Sequence, residues 1–170
     1  MKIKKYDFYK FDQKYQYDFI DIRFEDSDNI PYYVTYFLKD IHSLSEARSC
    51  KNYLEKDKSA FDKVGIIQEV EVSIDRKNNL VYLSEASEDD YRFRDKNVTS
   101  QMVLQMCRDD KLEYDVMKYE NFIELIDVWI AILEKNPAFV LLYQDEHDWY
   151  SLKAFAQEDD MRVFVAEHSR

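Results

Sequence analysis

The stretch YQDEHDWYS, residues 143–151, brings together residue types that could do chemistry. Asp145, Glu146 and Asp148 surround His147, and such a set could ligate a hard cation or transfer protons. Successive residues of a tight turn point in different directions, however, and the segment lacks the D-x-[DN]-x-[DN]-G spacing of a calcium loop. A solvated turn or a contact surface is therefore favoured, with a weak metal site and a catalytic site as alternatives.

Two further segments, SEDDY and QEDD, are rich in carboxylates. Glycosidic acid–base catalysis needs two carboxyl groups held several Å apart, one of them kept protonated by burial. Consecutive acidic residues in a polar segment offer neither, so we expect loops that face solvent or a partner. The residues concerned are Glu88, Asp89, Asp90 and Tyr91 in the first segment and Asp159 and Asp160 in the second.

The scarcity of glycine excludes several enzyme classes. Gly65 is the single glycine, so the chain has no G-x-G-x-x-G turn, no phosphate-binding P-loop and no G-x-S-x-G nucleophile elbow. The three histidines include no pair at i and i+4, the spacing of a helical zinc site. We therefore predict no enzymatic activity, no cofactor and no metal site.

The charge of the chain indicates which partners it can attract. The net charge is -11, and the acidic excess lies entirely in residues 61–170. A negative potential repels phosphate backbones and anionic lipids and attracts basic surfaces. We therefore expect a basic protein partner, and neither nucleic acid nor a membrane.

Cysteine usage and hydropathy indicate the compartment. Cys50 and Cys107 lie far apart outside any metal-binding motif, which is typical of buried free thiols in a reducing cytosol. The first residues lack the apolar core of a signal peptide, and no run approaches the roughly 18 apolar residues of a membrane span. The sequence thus predicts a cytoplasmic protein.

Periodicity predicts a single α+β domain over residues 1–170, with mainly antiparallel sheet and two or three helices. Ser43 and Glu46 have capping-box spacing and predict a helix over 44–60. Other helices are expected from Thr99 or Ser100 through 110 and from Glu120 to Pro137, with Trp129 in the core. Alternating or aromatic segments predict strands at 6–11, 15–25, 30–38, 66–75, 80–86, 112–120, 139–144, 149–155 and 161–167.

The last three predicted strands would form a meander. Its turns, DEHD and AQEDD, would then lie one strand apart, and with the SEDD loop they could form a single negative face. Trp149 and Tyr150 point to opposite sides of a strand, so one can enter the core while the other borders the DEHD turn. Trp149 and Tyr91 are the candidate aromatic anchors of the face.

In its SEDDY, YQDEHDWY and QEDD segments, on an α+β domain without a catalytic signature, the chain resembles the small acidic immunity proteins of bacterial contact-dependent growth inhibition and related polymorphic toxin systems. The resemblance implies stoichiometric inhibition, in which the acidic face covers the basic nucleic-acid-binding cleft of a toxin's C-terminal nuclease domain. The partner-binding residues would be Glu88, Asp89, Asp90, Tyr91, Asp145, Glu146, Asp148, Trp149, Asp159 and Asp160.

Two other functions use parts of the same pattern. A nucleic-acid mimic that inhibits a restriction or repair enzyme would share the negative field, but would carry a longer and more regular row of carboxylates. A small enzyme or ligand-binding domain would need a recessed pocket with His147 or a perturbed acid inside it.

Overall fold

Two four-stranded antiparallel sheets and five helices make up the described part of the chain, which has an α+β fold as predicted. The structure is a computed structural model. It describes residues 1–11, 19–22, 31–56, 63–67, 70–85, 100–109 and 113–169.

One sheet combines strands from the two ends of the chain, and the other is built from four consecutive strands. The strands are β1 (Ile3–Phe11), β2 (Phe19–Ile22), β3 (Lys63–Ile67), β4 (Val70–Asp75), β5 (Leu80–Glu85), β6 (Tyr114–Lys118), β7 (Phe139–Asp145) and β8 (Tyr150–Phe155). The order β2-β1-β7-β8 forms what we call the terminal sheet, and β3-β4-β5-β6 forms the meander sheet. The helices are α1 (Tyr32–Asp40), α2 (Leu44–Lys56), α3 (Ser100–Arg108), α4 (Tyr119–Lys135) and α5 (Glu158–His168).

The clearest sequence signals are confirmed. Ser43 and Glu46 form a capping box, since the Glu46 N–H donates to Ser43 Oγ at 3.2 Å and the Ser43 N–H to Glu46 Oε2 at 3.0 Å. The strands predicted on either side of the turn-like segment RKNN, residues 76–79, form the hairpin β4–β5, with Asn79 in the turn at φ 58°. Trp129 on α4 is fully buried and donates its indole N–H to the Ile41 carbonyl at 2.9 Å.

Residues 30–38, predicted as a strand, instead contain helix α1. Tyr33, Val34, Phe37 and Leu38 bury one helical face in the core, at i, i+1, i+4 and i+5. Aromatic and β-branched residues favour strands only weakly, and the burial of this face outweighs that preference.

Residues 161–167, predicted as the last strand of a meander, belong to helix α5, so that the described part has more helices than the two or three expected. Met161 and Val165, one helical turn apart, bury against the terminal sheet. The preceding acidic residues do not form a turn between strands, because Asp159 and Asp160 lie in the first helical turn, where carboxylates interact favourably with the helix dipole.

The predicted strand 66–75 is in fact two strands. Ile67 ends β3 and pairs with Val70, the first residue of β4, so the chain reverses between them. Alternation of apolar and polar residues continues across this reversal and concealed it. All of β4 is buried on both faces, including Glu71, Ser73 and Asp75.

The core lies mainly between the two sheets. Helices α1, α2 and α4 fill this space together with the inner faces of both sheets, in one continuous cluster. Helix α5 covers the outer face of the terminal sheet, where Met161 and Val165 pack on Phe8 and Leu141. Helix α3 covers the outer face of the meander sheet through Cys107 and Tyr82. No helix among the described residues is long and apolar enough to cross a membrane.

A buried carboxylate joins the two sheets. Asp115 on β6 is 5% exposed, and its Oδ2 accepts hydrogen bonds from the N–H groups of Tyr33 and Val34 at the start of α1, at 2.8 and 3.3 Å. Its Oδ1 accepts the hydroxyl of Tyr150 on β8 at 3.1 Å and lies 3.7 Å from Lys5 Nζ on β1. One side chain of the meander sheet thus contacts helix α1 and two strands of the terminal sheet, β1 and β8.

We predict that Asp115→Ala lowers the free energy of unfolding by about 3 to 5 kcal/mol, because it leaves buried N–H donors, a hydroxyl and a cation without their acceptor. Urea unfolding followed by circular dichroism measures this change. The neighbouring exposed Glu113→Ala is the control and should shift stability by less than about 0.5 kcal/mol. A loss below about 1 kcal/mol for Asp115→Ala would show that this carboxylate contributes little to holding the two sheets together.

Both cysteines are buried free thiols. Burial raises the pKa of Cys50 to about 12. It also raises the pKa of Cys107 to about 11, with a further contribution from the nearby Glu71 carboxylate.

Since only the thiolate reacts quickly, both thiols should resist a disulfide reagent at pH 8 in the folded protein and react fully after unfolding in urea. Absorbance of the released thiol reports the rate. Fast reaction of either cysteine in the folded state would show that its site opens readily.

Candidate functional site

The DEHD segment forms the tip of the β7–β8 hairpin, as predicted. We call residues 145–149 the hairpin tip. The Asp145 N–H donates to the Trp149 carbonyl at 3.0 Å, and the Asp148 N–H donates to the Asp145 carbonyl at 3.1 Å. Asp148 has φ 62°, a left-handed conformation that aspartate tolerates better than most residues. The tip therefore has a defined backbone conformation.

Asp145 organises this turn with its side chain. Its Oδ1 accepts the N–H groups of His147 at 2.8 Å and of Trp149 at 3.0 Å. Such side-chain-to-backbone bonds are the usual reason for aspartate at a turn. The Asp145 carboxylate is half-buried and bonded within the turn. It therefore stabilises the conformation of the tip more than it offers surface for contact with a partner.

Glu146, His147 and Asp148 form the exposed part of the tip. Their negative charge is partly balanced by the start of β1, which runs alongside because Ile3 pairs with Asp145. Lys4 Nζ lies 2.8 Å from Asp148 Oδ1, and the backbone N–H of Lys2 donates to Glu146 Oε1 at 3.2 Å. The Asp148 side chain still has 68% of its surface exposed.

Trp149, the last residue of the tip, and Tyr150, the first residue of β8, point to opposite sides, as predicted. Trp149 is half-buried beside the turn, whereas Tyr150 is 2% exposed and enters the core. Burial, and then the adjacent charge of Asp115, raise the pKa of Tyr150, so its hydroxyl stays protonated and donates to that carboxylate. Asn121 on α4 completes the attachment through hydrogen bonds to both the N–H and the carbonyl of Tyr150.

Asp159 and Asp160 do not lie beside the hairpin tip. Gln144 pairs with Tyr150 at the tip end of the β7–β8 ladder, and Phe139 pairs with Phe155 at the other end, just before α5 begins. A six-residue strand spans about 20 Å, so these two acidic groups lie at opposite ends of β8. The expected single negative face is therefore wrong for these two segments, because the turn that precedes an antiparallel strand and the segment that follows it lie at opposite ends of that strand.

The third acidic segment lies outside the described residues. It holds the predicted contacts Glu88, Asp89, Asp90 and Tyr91, and their role stays a prediction.

The described residues contain no group of three or more histidine, cysteine, aspartate or glutamate side chains placed to hold a metal ion. At the tip, the Asp145 carboxylate points into the turn and the Asp148 carboxylate toward Lys4. The arrangement thus presents a shaped, partly neutralised polar surface.

Sequence reasoning missed two residues that shape this site, Lys4 and Asn121. Lys4 belongs to the basic start MKIKK, and only the pairing of that segment beside DEHD brings the lysine to the acidic residues. Asn121 interrupts the apolar stripe of α4, and a polar residue among core positions signals a buried hydrogen-bond partner.

Comparisons of the chain with protein families, with curated proteins and with solved structures found no match.

We predict that Asp145→Ala loosens the tip without unfolding the protein. The loss of two hydrogen bonds should speed amide exchange at His147 and Trp149 roughly five- to tenfold, as read by NMR. Asp145→Asn keeps the accepting oxygen and should leave the rates nearly unchanged. The neighbouring Glu146→Ala controls for loss of charge, and equal effects of Glu146→Ala and Asp145→Ala would show that charge, not turn geometry, matters.

Proposed function

We propose that this protein is a stoichiometric inhibitor of the immunity type, which binds a basic protein partner and performs no chemistry itself. The partner would be the C-terminal nuclease domain of a toxin, and the protein would act in the cytoplasm without a cofactor. The net charge of -11 supports this proposal, because it attracts basic surfaces and repels nucleic acid.

The observation that carries the proposal is the preorganisation of the hairpin tip. Asp145 fixes the turn from within, and Asn121 and Asp115 hold Tyr150 at its base. Binding by a preformed surface avoids the conformational entropy cost of ordering a loop. Glu146 and Asp148 are thereby presented to a partner in a fixed position.

The contacts of Lys4 indicate how a basic partner would engage the tip. An exposed ion pair such as Lys4–Asp148 contributes only about 0 to 1 kcal/mol, so a partner's arginine can replace the lysine at little cost. Arginine would have the advantage of a planar fork that binds a carboxylate through two hydrogen bonds. The half-buried Trp149 lies next to this position and would add apolar contact.

Steering and affinity would come from different features. The overall negative charge accelerates encounter with a basic partner, whereas the rate of dissociation depends on the few groups packed at the tip. Asp159 and Asp160 lie about 20 Å from the tip and would contribute to steering, or contact a second part of the partner.

We expect a gene beside that of this chain to encode a large secreted protein with a toxic C-terminal domain, and the test uses that domain. Glu146→Lys combined with Asp148→Lys should lower the association rate at low salt about tenfold or more, weaken its salt dependence and reduce protection from the toxin. Asp145 is left intact because it maintains the turn. Stopped-flow association and nuclease inhibition provide the measurements.

A matched control reverses the same number of charges elsewhere. Asp109→Lys combined with Glu113→Lys changes exposed residues on the meander-sheet side of the protein and should have a much smaller effect. Equal effects of the two double variants would mean that total charge, and not the tip, drives binding. Failure of the unmodified protein to bind and inhibit the toxin domain would overturn the proposed function itself.

A further inference from the structure

Strand β8 forms an edge of the terminal sheet, and its hydrogen bonds show which backbone groups face outward. The N–H and carbonyl of Tyr150 bond to the Asn121 side chain at 2.8 and 2.7 Å, and so they point away from β7. Trp149 has the opposite orientation, because its carbonyl accepts the Asp145 N–H. In an antiparallel ladder this orientation alternates, so the backbone groups of Leu152 and Ala154 also face outward.

The side-chain amide of Asn121 makes the two hydrogen bonds to Tyr150 that the backbone of a neighbouring strand would make. It supplies one donor and one acceptor at the first outward position of β8 and leaves the next two positions available. Among the described residues, no hydrogen bond reaches the outward backbone groups of Leu152 or Ala154. Ala154 is exposed and Leu152 is half-buried, so the edge is accessible from solvent at Ala154.

Lysine at an edge strand commonly blocks pairing with another strand. Lys153 does not extend across this edge, because its Nζ lies 3.8 Å from the ring centroid of Phe164 and 5.4 Å from that of Phe155. Phe155 lies on the outer face of the terminal sheet, and Phe164 lies on α5, which covers that face. The lysine is thus held on one side of the sheet, and within the part of the chain that the structure describes the edge remains open to backbone pairing.

Negative charge lies at both ends of this edge. Glu146 and Asp148 are exposed before its first residue, and Asp159 and Asp160 are exposed after its last. A chain segment that paired along β8 would therefore have its ends against carboxylates, about 20 Å apart. Because the two acidic groups lie about 20 Å apart, they do not form one patch. They would instead favour an extended ligand with a cation at each end.

We propose that the edge of β8 receives an extended segment of the basic partner, which adds a strand to the terminal sheet. The segment has about six residues, an apolar or small residue opposite Ala154 and a lysine or arginine at each end. Backbone hydrogen bonds to Leu152 and Ala154 provide affinity, and the four carboxylates provide selectivity for basic ends. This inference rests on the proposed function, since it specifies how the basic partner binds.

The direct test uses a peptide probe of about seven residues, with alternating valine and threonine between terminal arginines, and the intact protein. Amide exchange measured by NMR should slow at Leu152 and Ala154 when the peptide is added. A peptide with terminal glutamates is the matched probe and should bind at least about tenfold more weakly. Absence of binding by the arginine peptide, or protection confined to the hairpin tip, would overturn the inference.

Variants at Ala154 separate backbone pairing from general attraction. Ala154→Pro removes an outward N–H and leaves the ladder with β7 intact, because proline is compatible with the outer side of an edge strand. It should weaken binding of the arginine peptide about tenfold, the effect of losing one backbone hydrogen bond together with steric hindrance. Ala154→Val keeps the N–H and should bind as the unmodified protein does, and circular dichroism verifies that each variant folds.

The outcomes distinguish this inference from the proposed function. If Ala154→Pro still inhibits the toxin domain and binds the peptide normally, while Glu146→Lys with Asp148→Lys does not inhibit, the function holds and strand addition is wrong. If Ala154→Pro fails to fold, the exchange measurement on the unmodified protein decides the question alone. Slow exchange at Leu152 and Ala154 would then support strand addition, and unchanged exchange would exclude it.

Discussion

The structure depends on one buried carboxylate, Asp115, which two sheets and a helix share. The first helical turn of α1 needs acceptors outside the helix for its N–H groups, and no side chain of its own caps it. Asp115 supplies an acceptor from the meander sheet, and its second oxygen binds Tyr150 of the terminal sheet. A buried charge is costly without partners, so this carboxylate is stable only when all of these elements are in place together.

The contacts of Asp115 also fix the position of the β7–β8 hairpin, which carries the candidate site. Tyr150 is the first residue of β8, and it is held by Asp115 through its hydroxyl and by Asn121 through its backbone. The turn above it is closed by Asp145. The core thus fixes the base of the tip, the turn fixes its shape, and the exposed Glu146 and Asp148 are left for contact. Asn121 also affects the edge of β8, because its side chain bonds only the backbone of Tyr150 and leaves the outward-facing groups of Leu152 and Ala154 to a partner.

The secondary structure was predictable where a local signal was sufficient. The capping box of Ser43 and Glu46, the RKNN turn and the broad apolar stripe around Trp129 each depend on neighbours within one or two helical turns or on a two-strand hairpin. Helix α1 and helix α5 were missed because their residues favour strands by composition, and only the sheet faces against which they pack make a helix the more stable structure. The acids at the start of α5 were a usable signal that was assigned to a turn.

The sequence alone determined the fold class, the negative charge and the presence of an acidic hairpin tip, because composition and short-range periodicity encode these properties. Only the tertiary structure showed that the Asp145 carboxylate accepts hydrogen bonds from its own turn, that Lys4 contacts Asp148, and that the acids of α5 lie at the far end of β8. The contact of Lys4 with Asp148 depends on the pairing of two distant strands, β1 and β7, and the separation of the acids follows from the length of β8. The pairing of β1 with β7 joins residues more than a hundred positions apart, and no local pattern in either segment specifies it.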